Sequence, residues 1–144
     1  MVDINKPIIP WEGMGGIALY STIKEMKELL ENTQLVSGIL LNNLWVRYEI
    51  KDAMYLFFHL VNGKLFKITT LDNYKGKLFG NIGVGTLESD LLKYEPTFSY
   101  DDFEEVYETP KGAFLETDPI SKKITRISVY IKELDNDDFE NANW

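Results

Sequence analysis

The sequence predicts an α+β fold: two tandem helix-plus-antiparallel-meander repeats that form one curved sheet, with the helices on one face. Two observations lead to this prediction, a similarity between the beginnings of the two halves and a second, ungapped similarity further along each half. A hairpin signal between two apolar stretches supports it. One shared sheet of about eight strands would bury both helices against the same face.

The first part of each repeat is predicted to be a short strand that leads into a capped helix. GIALYSTIKEMK aligns with the segment beginning NIGVGTLESDLL, so that Ile17 falls on Ile82. In both copies a hydroxyl residue precedes apolar residues that recur every three to four positions, which is typical of an amphipathic helix. Ser21 and Thr86 are the predicted N-caps. A chance similarity between two helix starts is the alternative interpretation.

The second part of each repeat is predicted to be a meander of three strands. With a different offset, Tyr48 falls on Tyr107 and Lys64 on Lys123 without a gap. VRYEI, MYLFFHLV and LFKITTL are the strands of the first copy, and Asn62–Gly63 is a strong signal for a tight turn between the last two. EEVYET, GAFLET and KITRISVYI are their counterparts in the second copy.

The domain organisation follows from these alignments. The 144 residues are predicted to form one domain, because this length lies within the usual range for a single domain. Repeat one spans about 15–71, a linker 72–80, repeat two about 81–131, and an acidic C-terminal tail 132–144.

These motifs resemble a known family. GIALYSTIKEMKELL and IGVGTLESDLLKY are similar to the strand-and-helix opening of the β-lactamase-inhibitor-protein-like fold, which is related to small lipoproteins of outer-membrane assembly. AMYLFFHLVNGKLFKITTL and GAFLETDPISKKITRISVYI resemble its strand pair. The resemblance implies binding of another protein across the exposed concave face of the sheet. Tyr20 stands where that family usually has glycine, and the cysteines of its secreted and lipid-anchored members are absent.

Composition narrows the class of partner. The net charge is −8, with 23 acidic and 15 basic residues. This charge disfavours nucleic acid and anionic membranes as partners and favours a basic protein. The absence of cysteine excludes disulfides and thiolate metal sites, and no signal peptide is visible, so a cytoplasmic location is predicted. A leader removed from a longer protein would leave the same sequence.

No combination of residues indicates catalysis, so the protein is predicted not to be an enzyme and to use no cofactor or metal. His59 is the only histidine and is interpreted as a sheet residue. The stretch DNDDFE lacks the spacing of an EF-hand and is interpreted as a solvated acidic tail. A second acidic group, Asp101, Asp102, Glu104 and Glu105, is interpreted as an exposed loop cluster rather than a glycosidase-like carboxylate pair.

A partner-binding surface is the remaining functional signal. Alternation along the strands predicts one exposed face that carries aromatic side chains beside acidic residues. The predicted members are Tyr48, Tyr55, Phe57, His59 and Phe66, together with the acidic loop residues. Cover of this face by helices, or by Trp11 and Trp144, is the alternative. Trp45 is interpreted either as a core residue or as a protruding anchor, and Trp144 as either docked or disordered.

The function predicted from these features and from the resemblance is protein-binding inhibition. The leading hypothesis is an immunity protein that neutralises a basic toxin, with a nuclease as one candidate, by blocking its active surface. The acidic loop would take the place of substrate phosphates, and the aromatic residues would be anchors. Two alternatives stay open: an envelope or assembly module that binds another protein, and a small-ligand carrier that uses the curved sheet.

Overall fold

The computed structural model describes residues 2–144 and contains two antiparallel sheets. The small sheet pairs β1 (Gly13–Met14) with β2 (Ile17–Ala18). The large sheet has eight strands: β3 (Val36–Leu40), β4 (Trp45–Ile50), β5 (Met54–His59), β6 (Leu65–Thr70), β7 (Ser99–Asp101), β8 (Val106–Thr109), β9 (Ala113–Thr117) and β10 (Ile124–Tyr130). Its spatial order is β3-β4-β5-β6-β10-β9-β8-β7.

Each half of the sheet is a meander joined by short turns, and the last strands of the two meanders pair with each other. The predicted turn at Asn62–Gly63 joins β5 to β6. Gly63 has a φ of 71°, a conformation that costs glycine little because it has no Cβ. At the central pairing, Thr69 and Ser128 are buried with their hydroxyl oxygens 2.7 Å apart. The hydrogen bond satisfies two polar groups that would be costly to bury alone.

One face of the large sheet carries the main core. Met54, Leu56 and Ile68 on this face are completely buried. Much of the cover comes from irregular segments, since Ile8, Tyr74, Leu78 and Ile82 are among the buried residues. The segment predicted as a linker, residues 72–80, is therefore part of the core, and the Tyr74 hydroxyl donates a hydrogen bond to the Lys6 carbonyl at 2.7 Å.

The helical content contradicts the predicted fold class. Among residues 2–144 the helices are α1 (Lys27–Leu30) and α2 (Glu88–Tyr94), of four and seven residues, and two short 3₁₀ helices at Lys132–Asp135 and Phe139–Asn141. The prediction of an α+β fold built from two tandem helix-plus-meander repeats is therefore wrong. The protein is mainly a large antiparallel sheet, with loops rather than long helices packed on its core face.

The predicted helix caps are wrong because both helices begin later in the sequence than predicted. Met26 and Leu87, rather than Ser21 and Thr86, occupy the N-cap positions, and neither caps with its side chain. A reciprocal pair of hydrogen bonds forms one turn earlier: the Thr22 hydroxyl accepts from the Glu25 amide, and the Glu25 carboxylate accepts from Thr22. This arrangement is a capping box, but regular helix begins only after it. Within residues 2–144, no helix has the length and apolar character needed to cross a bilayer.

Candidate protein-interaction site

The predicted aromatic surface is divided between the two faces of the sheet. Tyr48 lies opposite Leu56 on one side and Gly38 on the other, so it shares the core face with Leu56. Its ring packs edge-on against Phe58, with the centroids 5.8 Å apart. Tyr55 alternates with Leu56 and lies on the other face, here called the open face. The prediction that Tyr48 and Tyr55 share a surface is wrong, because they differ in strand parity.

His59 and Phe66 lie on the side of the open face but are not exposed. Their relative exposures are 0% and 1%. Phe139 covers both, with ring centroids 5.5 Å from His59 and 5.2 Å from Phe66. In this conformation the two residues are core residues, so their predicted exposure to a partner is wrong.

The cover comes from the segment predicted as a solvated acidic tail, residues 132–144. Among the hydrogen bonds that hold it, the Trp45 indole donates to the Glu140 carboxylate at 3.0 Å, and the Asn62 amide and the Lys64 ammonium donate to the Trp144 carbonyl at 3.1 and 3.0 Å. The segment packs on the sheet through the apolar contacts of Phe139 and Trp144, although most residues around them are acidic. Trp144 is docked, and Trp45 packs against Phe66 at 5.1 Å beneath the segment.

The part of the open face that remains accessible carries cations over aromatic rings. The Arg47 guanidinium lies 4.1 Å from the Tyr55 ring centroid, and the Lys67 ammonium lies 4.2 Å from that of Phe57. Burial lowers the pKa of Lys67. The Arg126 guanidinium lies 5.3 Å from the Tyr55 ring centroid. Since these rings already contact cations and Phe57 is only 9% exposed, they offer little free aromatic surface.

The predicted acidic residues fall together in one structure, the acidic hairpin, defined as residues 99–109. Asp101 orders the loop between its two strands. Its carboxylate accepts hydrogen bonds from the amides of Phe103 and Glu104 at 2.9 and 3.1 Å, and its carbonyl accepts from the Glu105 amide at 2.8 Å. The two amide donors hold the pKa of Asp101 below its usual value. Asp101 therefore remains charged and fixes the loop.

The ordered loop holds an aromatic side chain in solvent. Phe103 is 90% exposed and stands between exposed acidic neighbours, among them Asp102 and Glu104. Tyr100 is 47% exposed on the adjacent strand and contacts Tyr107, with ring centroids 4.9 Å apart. Exposed aromatic residues of this kind are favourable anchors when a partner buries them. Sequence reasoning missed Phe103, although its place within DDFEE was a usable signal.

Next to the hairpin lies an acidic groove, a cavity of about 510 Å³ between the hairpin, the start of α2 and the β9–β10 turn. Its lining residues are Glu88, Tyr100, Glu104, Glu105, Tyr107, Glu116, Thr117, Pro119 and Lys122. Four carboxylates face one ammonium group, so the groove is electronegative. Carboxylates in such a groove can accept charge-assisted hydrogen bonds from lysine or arginine side chains.

A tyrosine fixes one wall of the groove. The Tyr107 hydroxyl donates a short hydrogen bond to the Glu88 carboxylate. Burial and this carboxylate raise the pKa of Tyr107 to about 12, so the hydroxyl keeps its proton at neutral pH. The bond orients Glu88, which lies outside the predicted set. Glu88 and Glu116 come from α2 and β9, distant in sequence, which is why the sequence did not place them beside Glu104 and Glu105.

The acidic groove and the loop that carries Phe103 are together suited to binding a basic surface. Of the predicted acidic residues, Glu104 and Glu105 line the groove, Asp102 stands exposed beside Phe103, and Asp101 holds the loop. Among residues 2–144, the acidic and histidine side chains form no group of three or more that could hold a metal ion.

Comparison with known proteins supports the fold alone. No protein-family model matches the sequence, and no curated protein matches it. A crystal structure of a cysteine-rich secretory protein from Staphylococcus aureus subsp. aureus Mu50 is similar, with a TM-score of 0.55 and 14% identity. The match covers 92% of this chain and 50% of that one, so the chain spans about half the length of its structural neighbour. The resemblance to the β-lactamase-inhibitor-protein-like family stays a prediction.

Proposed function

We propose that this protein is a non-enzymatic, cytoplasmic inhibitor that neutralises a basic protein, and that its partner is a toxin against which it gives immunity. One observation carries the proposal: an electronegative groove lined by four glutamates lies beside Phe103, which is 90% exposed on a loop ordered by Asp101. Basic side chains of the partner would enter the groove. Phe103 would be buried against an apolar part of the same surface.

The two features have complementary roles in this proposal. Long-range attraction from a chain of net charge −8 speeds encounter with a basic partner, and the effect weakens with salt. Burial of Phe103 supplies affinity that salt does not weaken, on the order of 1–3 kcal/mol. Because Asp101 already orders the loop, little conformational entropy is lost on binding. A nuclease fits this mechanism well, since carboxylates then occupy the positions of substrate phosphates.

The test takes the basic products of the neighbouring genes as candidate partners and measures binding by calorimetry and rescue of cell growth. Phe103→Ala is expected to weaken binding at least tenfold. Glu104→Gln/Glu105→Gln is expected to weaken binding mainly at low salt. Val61→Ala and Glu28→Gln/Glu31→Gln are the controls, because they truncate an exposed apolar side chain and neutralise two exposed glutamates away from the hairpin.

Equal behaviour of the hairpin variants and their controls would contradict the proposed site. Absence of both binding and growth rescue for every basic product of the neighbouring genes would contradict the proposed function.

A further inference from the structure

The large sheet ends at β3 in an unpaired edge. β3 pairs only with β4, and hydrogen bonds from Leu41 to Trp45 and from Lys51 to Leu35 fix which residues face that partner. Odd-numbered residues of β3 therefore bond to β4, and the backbone groups of Gly38 and Leu40 point outward. The outward N–H of Val36 is already donated to the Asn32 carbonyl at 2.8 Å, which leaves the Val36 carbonyl free.

This edge lacks the features that normally protect a strand from pairing. The 13 residues from Gln34 to Val46 include no charge and no proline. The β3–β4 register is regular, without a bulge. Ile39, Leu40 and Leu41 are 53%, 66% and 40% exposed. Exposed edges usually carry lysine, proline or bulges because these prevent contact with another strand.

The opposite edge is better protected from pairing. β7 has only three residues, one of which is Asp101, and it leads into the acidic loop. Charge and short length both discourage strand addition there. Pairing with a further strand is therefore favoured at β3 alone of the two edges.

We propose that β3 pairs antiparallel with β3 of a second copy of this chain, about a two-fold axis that passes beside Gly38. In this register Gly38 faces Gly38 of the second copy, Val36 faces Leu40 of the second copy, and Ser37 faces its Ile39. Four backbone hydrogen bonds form: two between the Gly38 residues, and one from each Leu40 amide to a free Val36 carbonyl. Every residue of the strand is paired, and the most exposed, Leu40, meets the apolar side chain of Val36.

Symmetry favours a second copy over an unrelated strand, and the uncharged edge permits it. Two chains of net charge −8 repel each other over most of their surfaces, whereas the uncharged β3 edge allows close approach. The edge complements itself in both donors and side chains, as an isologous interface requires. The product is a continuous sixteen-stranded sheet, with the two acidic hairpins at its outer ends. Each hairpin stays free, so the proposal is independent of the proposed function.

Oligomeric state is the first test. Analytical ultracentrifugation of the wild-type protein, from low to high micromolar concentration, is expected to show the mass of 16.7 kDa rise toward twice that value. Leu40→Lys is expected to remain monomeric at every concentration, because it places a charge at the edge. Val61→Lys is the matched control, since Val61 is 60% exposed on a turn, and it is expected to dimerise like the wild type. A monomeric wild type would overturn the proposal.

Cysteine cross-linking tests the register without relying on Leu40→Lys. The chain has no cysteine of its own. Ser37 and Ile39 of the second copy form a non-hydrogen-bonded pair with Cα atoms about 4.5 Å apart, a separation that a disulfide can span. Ser37→Cys/Ile39→Cys is therefore expected to form a covalent dimer on mild oxidation at low concentration. Each single variant is expected to remain uncross-linked, because identical residues lie about 7–8 Å apart on the diagonal. Failure of the double variant, or efficient cross-linking of Ile39→Cys alone, would overturn this register.

Discussion

Trp144 stacks on Phe139 with the ring centroids 5.2 Å apart and the planes within 10° of parallel. The stacked pair lies over His59, whose ring centroid is 5.8 Å from that of Trp144. The last residues of the chain thus complete a second, smaller apolar cluster on the opposite side of the sheet from the main core. Residues in this cluster are expected to contribute to the stability of the whole domain.

Removal of the Trp144 side chain is expected to destabilise the protein. Trp144→Ala removes the stacking contact and uncovers part of Phe66, whose ring centroid is 6.4 Å away. Because Trp144 is only partly buried, the expected loss in the free energy of unfolding is about 1–3 kcal/mol. Urea denaturation measures the loss. Asn143→Ala is the control, as Asn143 is exposed, and an equal effect of the two substitutions would show that the stacked pair adds nothing.

Thr69 and Ser128 are expected to be energetically coupled. Thr69→Val or Ser128→Ala alone leaves a buried hydroxyl without its partner at the centre of the sheet, which costs about 1–3 kcal/mol. The double variant Thr69→Val/Ser128→Ala removes both polar groups and is expected to be more stable than the sum of the single losses predicts. Chemical denaturation of the wild type, the two single variants and the double variant completes a double-mutant cycle. Strictly additive losses in stability would contradict the coupling.

Alkaline pH is expected to destabilise the protein partly through Tyr74. Burial raises the pKa of Tyr74 from its usual 10.0 to about 12, and the residue is 2% exposed. The folded state therefore keeps a proton that the unfolded chain loses above pH 10. The stabilisation is complete below pH 10 and disappears as the pH rises through 12, a change of about 2–3 kcal/mol.

Tyr74→Phe isolates this contribution, because the variant has no hydroxyl to ionise at that position. Its stability is expected to fall less steeply than that of the wild type between pH 10 and 12, although it is lower at pH 8 through loss of the hydrogen bond to Lys6. Denaturation at several pH values measures both slopes. Identical slopes would contradict the raised pKa.

The loop of the acidic hairpin is expected to depend on Asp101. Asp101→Ala removes the acceptor for the Phe103 and Glu104 amides, so hydrogen exchange at both amides should accelerate. Asp101→Asn keeps a side-chain oxygen and should retain most of the protection. If both variants exchange as slowly as the wild type, the backbone bond from Glu105 alone orders the loop.

Local patterns in the sequence were reliable where they set geometry over a few residues. A turn forms at Asn62–Gly63, where Gly63 adopts a φ of 71°, and it allows β5 to pair with β6. The loop spans Leu60 to Gly63 rather than two residues, because His59 already pairs with Lys64. The helices were predicted too long, since apolar residues at helical spacing, such as Met26 and Leu29, can equally pack on a core from turns. Cover of the open face by Trp144 was one of the alternatives, whereas the docking of Phe139 was not predicted, because the acidic residues around it indicated a solvated tail.

In the candidate site, too, the local features were predictable and the features set by the tertiary fold were not. Asp101, Asp102, Glu104 and Glu105 are close in sequence, so their clustering was predictable. The groove also needs Glu88 and Glu116, which only the tertiary fold brings to it. Tyr48 was assigned to the wrong face because face assignment depends on strand parity, and an error of one residue reverses it.

The pairing of β6 with β10 also affects how the chain is made on the ribosome. β6 ends at Thr70, but its neighbour β10 begins only at Ile124, more than fifty positions later. At typical elongation rates of roughly 5–20 residues per second, the first meander waits several seconds during synthesis with the edge of β6 unpaired. Synthesis of this protein is therefore expected to depend on chaperone binding or on translation speed, more strongly than refolding of the finished chain does.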